Sequence, residues 1–411
     1  MNRRFGKIFV PCLMVLILVT TLGVFGCGGG GAGGKTTIVI GSITDLTGPA
    51  SSTMTAMEVG LRDLVRYLNE KDFIPGVKLK VVTYDTRMDA SRDIPAYEWC
   101  KTQGARQLIL CGLNPPAEVN KATAERDKIV IFALTGTKYV IDPPGWIFIA
   151  QSTGTVKSRV LLDYVSQQWD YVAKGRKPKL GSVLTNDPWG TEFHSAIKEY
   201  CQDHPDEFDY VKALLVPMSQ MTFSGEVESV KDCDYVAGPG WGTPCAAFIK
   251  EFRQRGYTAK LITLDAMAPS IKFIEDYCGA EAFDGFLFMM GAGYWNESTS
   301  LVTLAKEILH KYHSSAYAED TMALGNGYLS AIVQFTLGMD ILKKTIEAVG
   351  TENFSGQAYY DTAKAFKEQY EGYPEWSFGE TERLGYHYIK MYEYRANAGG
   401  VVAVSDWLPM Q

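Results

Sequence analysis

Three segments of the chain set tryptophan against glycine: Asn186-Asp187-Pro188-Trp189-Gly190, Gly238-Pro239-Gly240-Trp241-Gly242 and Gly291-Ala292-Gly293-Tyr294-Trp295. Glycine lets the backbone turn sharply and come close to another molecule. Tryptophan supplies a wide, stiff apolar wall with a single hydrogen-bond donor. Asp45 through Thr53 and Leu134-Thr135-Gly136-Thr137-Lys138 combine hydroxyls with turn residues. Where such a loop opens a helix, the free backbone N–H groups favour an anion. Asp265, in Asp265-Ala266-Met267, is a lone acid suited to a cationic or hydrogen-bond-donating group. This is chemistry for holding a small polar molecule.

Bond-making chemistry finds less support. The segment after the first apolar run, Gly41-Ser42-Ile43-Thr44-Asp45-Leu46-Thr47-Gly48-Pro49, lacks the glycine pattern of a dinucleotide site. No GxSxG nucleophile elbow occurs. Of five histidines, His310 and His313 are three apart, but no HExxH frame surrounds them, and a solvated surface explains them better than zinc. No catalytic residue, metal or cofactor is expected. A secreted hydrolase with scattered catalytic residues is the remaining enzyme reading.

The elements that must position these residues alternate. Thr37–Gly41 reads as a strand, Ala56–Asn69 as a helix, and Lys78–Tyr84 as a strand. The cycle continues through a helix near 91–103, strand 107–111, a helix over 116–127, and strands 129–133 and 146–150. It starts afresh at Leu180–Leu184 and runs through strands 211–216, 234–237 and 261–264 with helices between them. Such alternation implies parallel sheets covered on both faces, with ligands held beyond the carboxyl ends of the strands. All the segments named above fall at such ends. Later come a strand at 284–290, helices over 301–312, 328–349 and 358–370, and a terminal hairpin at 386–404. The expected fold is therefore α/β, with two doubly wound Rossmann-like lobes joined by a three-strand hinge. Lobe 1 is expected to comprise residues 37–152 with 285–349, and lobe 2 residues 153–284 with 350–411.

The N-terminus bears on location. Arg3, Arg4 and Lys7 precede an uncharged apolar run, Ile8–Val24, the pattern of a secretory signal. Val24-Phe25-Gly26-Cys27 resembles the lipobox of bacterial lipoproteins, which implies cleavage before Cys27 and its lipidation. Residues 1–26 are then a signal peptide, and the glycine-rich 27–36 a flexible tether. The mature chain carries 37 Lys and Arg against 47 Asp and Glu, a net charge of −10 with no basic stripe, so nucleic acid is not an expected partner. No later apolar run reaches the ~18 residues that span a bilayer. Six further cysteines, Cys100, Cys111, Cys201, Cys233, Cys245 and Cys278, include no CxxC pair and read as mostly buried free thiols.

The stretches IVIGSITDLTGPASSTMTAMEVGLRDLVRYLNE, NDPWGTEFHSAIKEY and DYVAGPGWGTPCAAFIKEFRQRGY resemble, in order, segments of the type I periplasmic solute-binding proteins of the branched-chain amino acid family. The likeness runs over most of residues 37–395. It implies two lobes with three crossings, closing on a ligand by hinge motion. It also implies contacts from Thr53, from Thr135, Gly136 and Thr137, from Trp189 and Trp241, and from Asp265 to a ligand ammonium. Tyr294 and Asn114 complete the expected ligand-binding set. One departure stands out. The family grips the ligand carboxylate with serines after the third strand, whereas this chain has Asn114-Pro115-Pro116, and proline offers no N–H. The expectation is an exported, lipid-anchored monomer that captures a small polar solute, an amino acid or related carboxylate or amide, and delivers it to the permease of an ABC importer. A solute sensor for a membrane receptor is the alternative. Metabolic labelling with a palmitate analogue should mark the wild-type protein and not Cys27→Ala; equal labelling of both would overturn the anchor.

Overall fold

The computed structural model describes residues 35–240 and 242–410. Cys27 and Trp241 lie outside the described residues. β1 (Thr36–Thr44), β2 (Val77–Asp85), β3 (Leu108–Cys111), β4 (Val130–Ala133) and β5 (Ile147–Ile149) form a parallel sheet in the order β2-β1-β3-β4-β5. β3, β4 and β5 are buried throughout, which is why they read as unbroken apolar runs rather than as alternation. Helix Ser51–Glu70 lies against helix Gly327–Val349. The two approach closely at Gly60, where an added Cβ would stand 3.0 Å from both Ala331 Cβ and the Tyr328 carbonyl.

β6 (Lys179–Thr185), β7 (Asp209–Val216), β8 (Tyr235–Ala237), β9 (Lys260–Ile262) and β10 (Leu287–Met290) build the parallel part of a second sheet, in the order β10-β9-β8-β6-β7. β11 (Lys367–Gln369) and β12 (Glu375–Ser377) form a separate hairpin. β13 (Tyr388–Arg395) then joins the second sheet antiparallel to β10, followed by β14 (Gly400–Ala403) and β15 (Leu408–Pro409), so the expected terminal hairpin is present.

The expected lobe boundaries need correction at two places. Residues 287–290 belong to the second sheet rather than to lobe 1. Phe288 and Met290 enter the buried cluster on one face of that sheet, and Leu287 and Met289 the cluster on the other, so this all-apolar strand needs cover on both sides. Residues 356–378 belong to lobe 1 rather than to lobe 2, because Tyr359, Phe366, Tyr373, Trp376 and Phe378 are buried in its core. Two expected helices also differ. The helix over 116–127 is two, Asn114–Val119 and Lys121–Asp127. Asn120 interrupts them, its buried amide donating to the carbonyls of Asp93 and Pro116. The helix beginning near 358 stops at Lys364 and gives way to β11. The six cysteines are all free thiols, and Cys100, Cys111, Cys233 and Cys245 are buried.

The chain crosses between lobes three times. The first crossing enters helix Gly154–Gln167, whose first turn is capped by the Thr153 hydroxyl accepting from the Val156 N–H. The second follows β10 and the third precedes β13. The first and third are hydrogen-bonded: the Ile149 N–H donates to Arg383 O and the Gly385 N–H to Ile149 O, each at 2.8 Å. At Gly291, on the second crossing, an added Cβ would strike the ring of Tyr386, on the third.

Arg383 secures this junction. Its side chain is 1 % exposed and makes no ion pair among the described residues. Instead it donates to the carbonyls of Gly145, Gly379 and Glu382 and to the Tyr360 hydroxyl, with its guanidinium 4.7 Å from the Phe148 ring centroid. Removing it strands partly buried acceptors and empties the space against Phe148, so Arg383→Ala should lower stability in urea titration by about 3 kcal/mol. Arg383→Lys should recover only part, because an ammonium lacks the planar fork. Unchanged stability in Arg383→Ala would contradict this role.

Candidate functional site

The carboxyl ends of the two sheets face each other across a cavity of about 360 Å³. Asp45 sets one side of it. Its buried carboxylate accepts from the Gly48 and Ala50 N–H groups, and the turn it holds starts helix Ser51–Glu70, whose first residues carry Thr53, Met54 and Met57 to the wall. Met88 follows β2, Gly112 to Pro115 follow β3, and Leu134 and Thr135 follow β4. Asn326 and Ser330, at the start of helix Gly327–Val349, close this side.

The facing side comes from lobe 2. Asp187, Pro188 and Trp189 follow β6, Met218 follows β7, Asp265 and Ala266 follow β9, and Met290 ends β10. The Thr185 hydroxyl donates to Asp187 Oδ1 at 2.5 Å. Trp189 packs edge-on against Phe193 at 5.6 Å, and an added Cβ at Gly240 would run into its ring, so glycine is what lets this indole lie flat against the next loop.

Of the residues expected from the sequence, Thr53, Asn114, Thr135, Trp189 and Asp265 stand on the cavity wall. Gly136, Thr137 and Tyr294 are not among the residues lining it. Gly136 is bridged to Thr153, with Ile149 filling the space a Cβ would need. The Thr137 hydroxyl donates to Glu118 at 2.6 Å. Burial raises the Glu118 carboxyl above its usual range, and that hydrogen bond opposes the rise. Tyr294 packs against the buried clusters of both lobes, and burial pushes its hydroxyl up to about 12.

Asp265 differs most from expectation. Its carboxylate is met by Lys157 Nζ at 2.5 Å, and Lys157 also donates to Gln151 at 2.8 Å. The lysine side chain is 2 % exposed. The cation opposite this acid is therefore supplied by helix Gly154–Gln167, not left for a ligand to bring. Sequence reasoning passed over Lys157 because nothing in its neighbourhood marks it as buried.

It also passed over the five methionines of the wall, Met54, Met57, Met88, Met218 and Met290, which local pattern does not separate from core. Asn326, just before an apolar helix, was visible as a helix-start signal. Its amide donates to Met290 Sδ at 3.0 Å. Glu192, on helix Pro188–Asp203, accepts at Oε1 from the Thr155 hydroxyl within lobe 2 at 2.9 Å and from the Lys138 N–H of lobe 1 at 3.3 Å. Among the described residues, no cluster of His, Cys, Asp and Glu could hold a metal, and no helix is long and apolar enough to cross a membrane.

Solved structures share this α/β architecture. A branched-chain amino acid ABC transporter protein from Thermus thermophilus, solved with bound valine, superposes with a TM-score of 0.80 at 16 % identity, over 92 % of this chain and 97 % of that one. A solute-binding protein from R. palustris in complex with 4-hydroxybenzoate gives 0.74 at 16 %, over 91 % and 98 %. A fatty acid ABC transporter substrate-binding protein from Thermomonospora curvata gives 0.73 at 15 %, over 92 % and 94 %. No curated protein matches the sequence. The sequence profile of the periplasmic binding proteins matches residues 37–399, nearly the whole of the described chain, and the protein belongs to that family.

Proposed function

We propose that this protein is the lipid-anchored, extracytoplasmic solute-binding component of an ABC importer, capturing one small molecule between its lobes and presenting it to the permease. The observation that carries the reading is the cavity: both lobes wall it, at the carboxyl ends of both sheets, and three crossings join the lobes beside it. Pockets of this size bury most of a small ligand, which suits capture and carriage. The relatives solved with valine and with 4-hydroxybenzoate are consistent with one architecture serving unlike solutes. The choice of solute thus belongs to the wall residues. Anchoring through Cys27 would keep the loaded protein near the membrane that holds the permease. A monomer suffices, since one chain supplies every wall described.

Native mass spectrometry of protein purified from its host should show one bound small molecule, lost on unfolding and lost from Trp189→Ala. Adding that molecule to emptied protein should shrink the radius of gyration in small-angle scattering. Saturating binding with an unchanged radius would contradict capture by closure, and a solute retained in full by Trp189→Ala would place it elsewhere.

A further inference from the structure

The electrostatics of the wall restrict the head group a ligand can carry. Among the described residues, the lining holds no lysine, arginine or histidine, so a carboxylate entering the cavity meets no side-chain cation. Two helices that start at the wall also offer an anion little. Asn114–Val119 opens with Pro115 and Pro116, and Pro188–Asp203 with Pro188, and each proline removes an N–H that would point at the ligand. A ligand ammonium would meet two wall acids that are already engaged: Lys157 neutralises Asp265, and Asp187 accepts from the Thr185 hydroxyl at 2.5 Å. Either charge would lose its hydration, the carboxylate with no side-chain cation to receive it and the ammonium with both wall acids already engaged.

What the wall does present is apolar surface and amides. Five methionines and Trp189 supply conformable, polarisable contacts that suit an aromatic body. Asn114 and Asn326 stand on the lobe 1 wall, both more than nine-tenths buried. The amide oxygen of each has no hydrogen-bond partner. A buried acceptor left unpaired is costly, so a small side-chain adjustment that brings either oxygen to a ligand donor is favoured.

We infer that the cavity takes an uncharged solute with a bulky apolar, aromatic body and an N–H or O–H donor, and not the zwitterion of an amino acid. The inference rests on the binding-protein reading and concerns the same cavity.

The test holds one skeleton constant and changes its head. Protein emptied of carried solute is titrated calorimetrically with phenylacetamide, 2-phenylethanol, phenylacetate, phenethylamine and L-phenylalanine. The amide or the alcohol should bind about tenfold or more tightly than each charged compound, and Trp189→Ala should weaken that binding. Tightest binding of phenylalanine, phenylacetate or phenethylamine, still sensitive to Trp189→Ala, overturns the inference and leaves the capture reading standing. Failure of all five compounds to bind also overturns it. Binding indifferent to Trp189→Ala counts against both the inference and the placement of the site.

Discussion

A lysine ammonium buried as deeply as Lys157 requires a counter-ion, because the desolvation cost of a lone charge exceeds what packing returns. Asp265 is that counter-ion, and Gln151 takes a second of the three ammonium hydrogens. These three residues tie the first crossing, the first helix of lobe 2 and the loop after β9 into one unit at the cavity edge. Removing Asp265 leaves a buried ammonium and removing Lys157 leaves a half-buried carboxylate, so the geometry of that wall is held by the chain itself and does not wait for a ligand. The same pair neutralises the acid that the family resemblance assigns to an amino-acid ammonium.

The lobes are unequal in a way that serves this site. Lobe 2 packs its sheet between two apolar clusters, one on each face. Lobe 1 adds a long helix and an aromatic annex drawn from after the second crossing. That annex surrounds Arg383, whose hydrogen bonds to backbone carbonyls stiffen the place where the first and third crossings meet. A fixed set of crossings is what a hinge between two lobes needs. Glu192 adds a polar contact between lobes beside the first crossing, through the Lys138 N–H.

The alternation of strands and helices was legible in the sequence because buried parallel strands are short apolar runs bounded by turns. Leu108–Cys111 and Val130–Ala133 could be read from residue type alone. Which lobe receives a strand is a long-range fact: Leu287–Met290 looks the same whether it pairs with β9 or with lobe 1. The aromatic segment around Tyr373 and Trp376 likewise carries no local mark of where it packs. At the site, Trp189 and Asn114 stood out through their loop positions after strands. Lys157 did not, since a lysine on an amphipathic helix is ordinarily solvated and only its tertiary partner reveals it. The wall methionines were hidden for a similar reason, being core and pocket surface at once.

Hydrogen–deuterium exchange, comparing the protein carrying its native solute with the same protein emptied, tests most directly whether the solute sits between the lobes. Slowed exchange should appear together at the loops after β3 and β4 in lobe 1 and after β6 and β9 in lobe 2, with the distant edge strands β2 and β7 unchanged over most of their length. Slowed exchange confined to one lobe, or spread over a surface away from these loops, would contradict it.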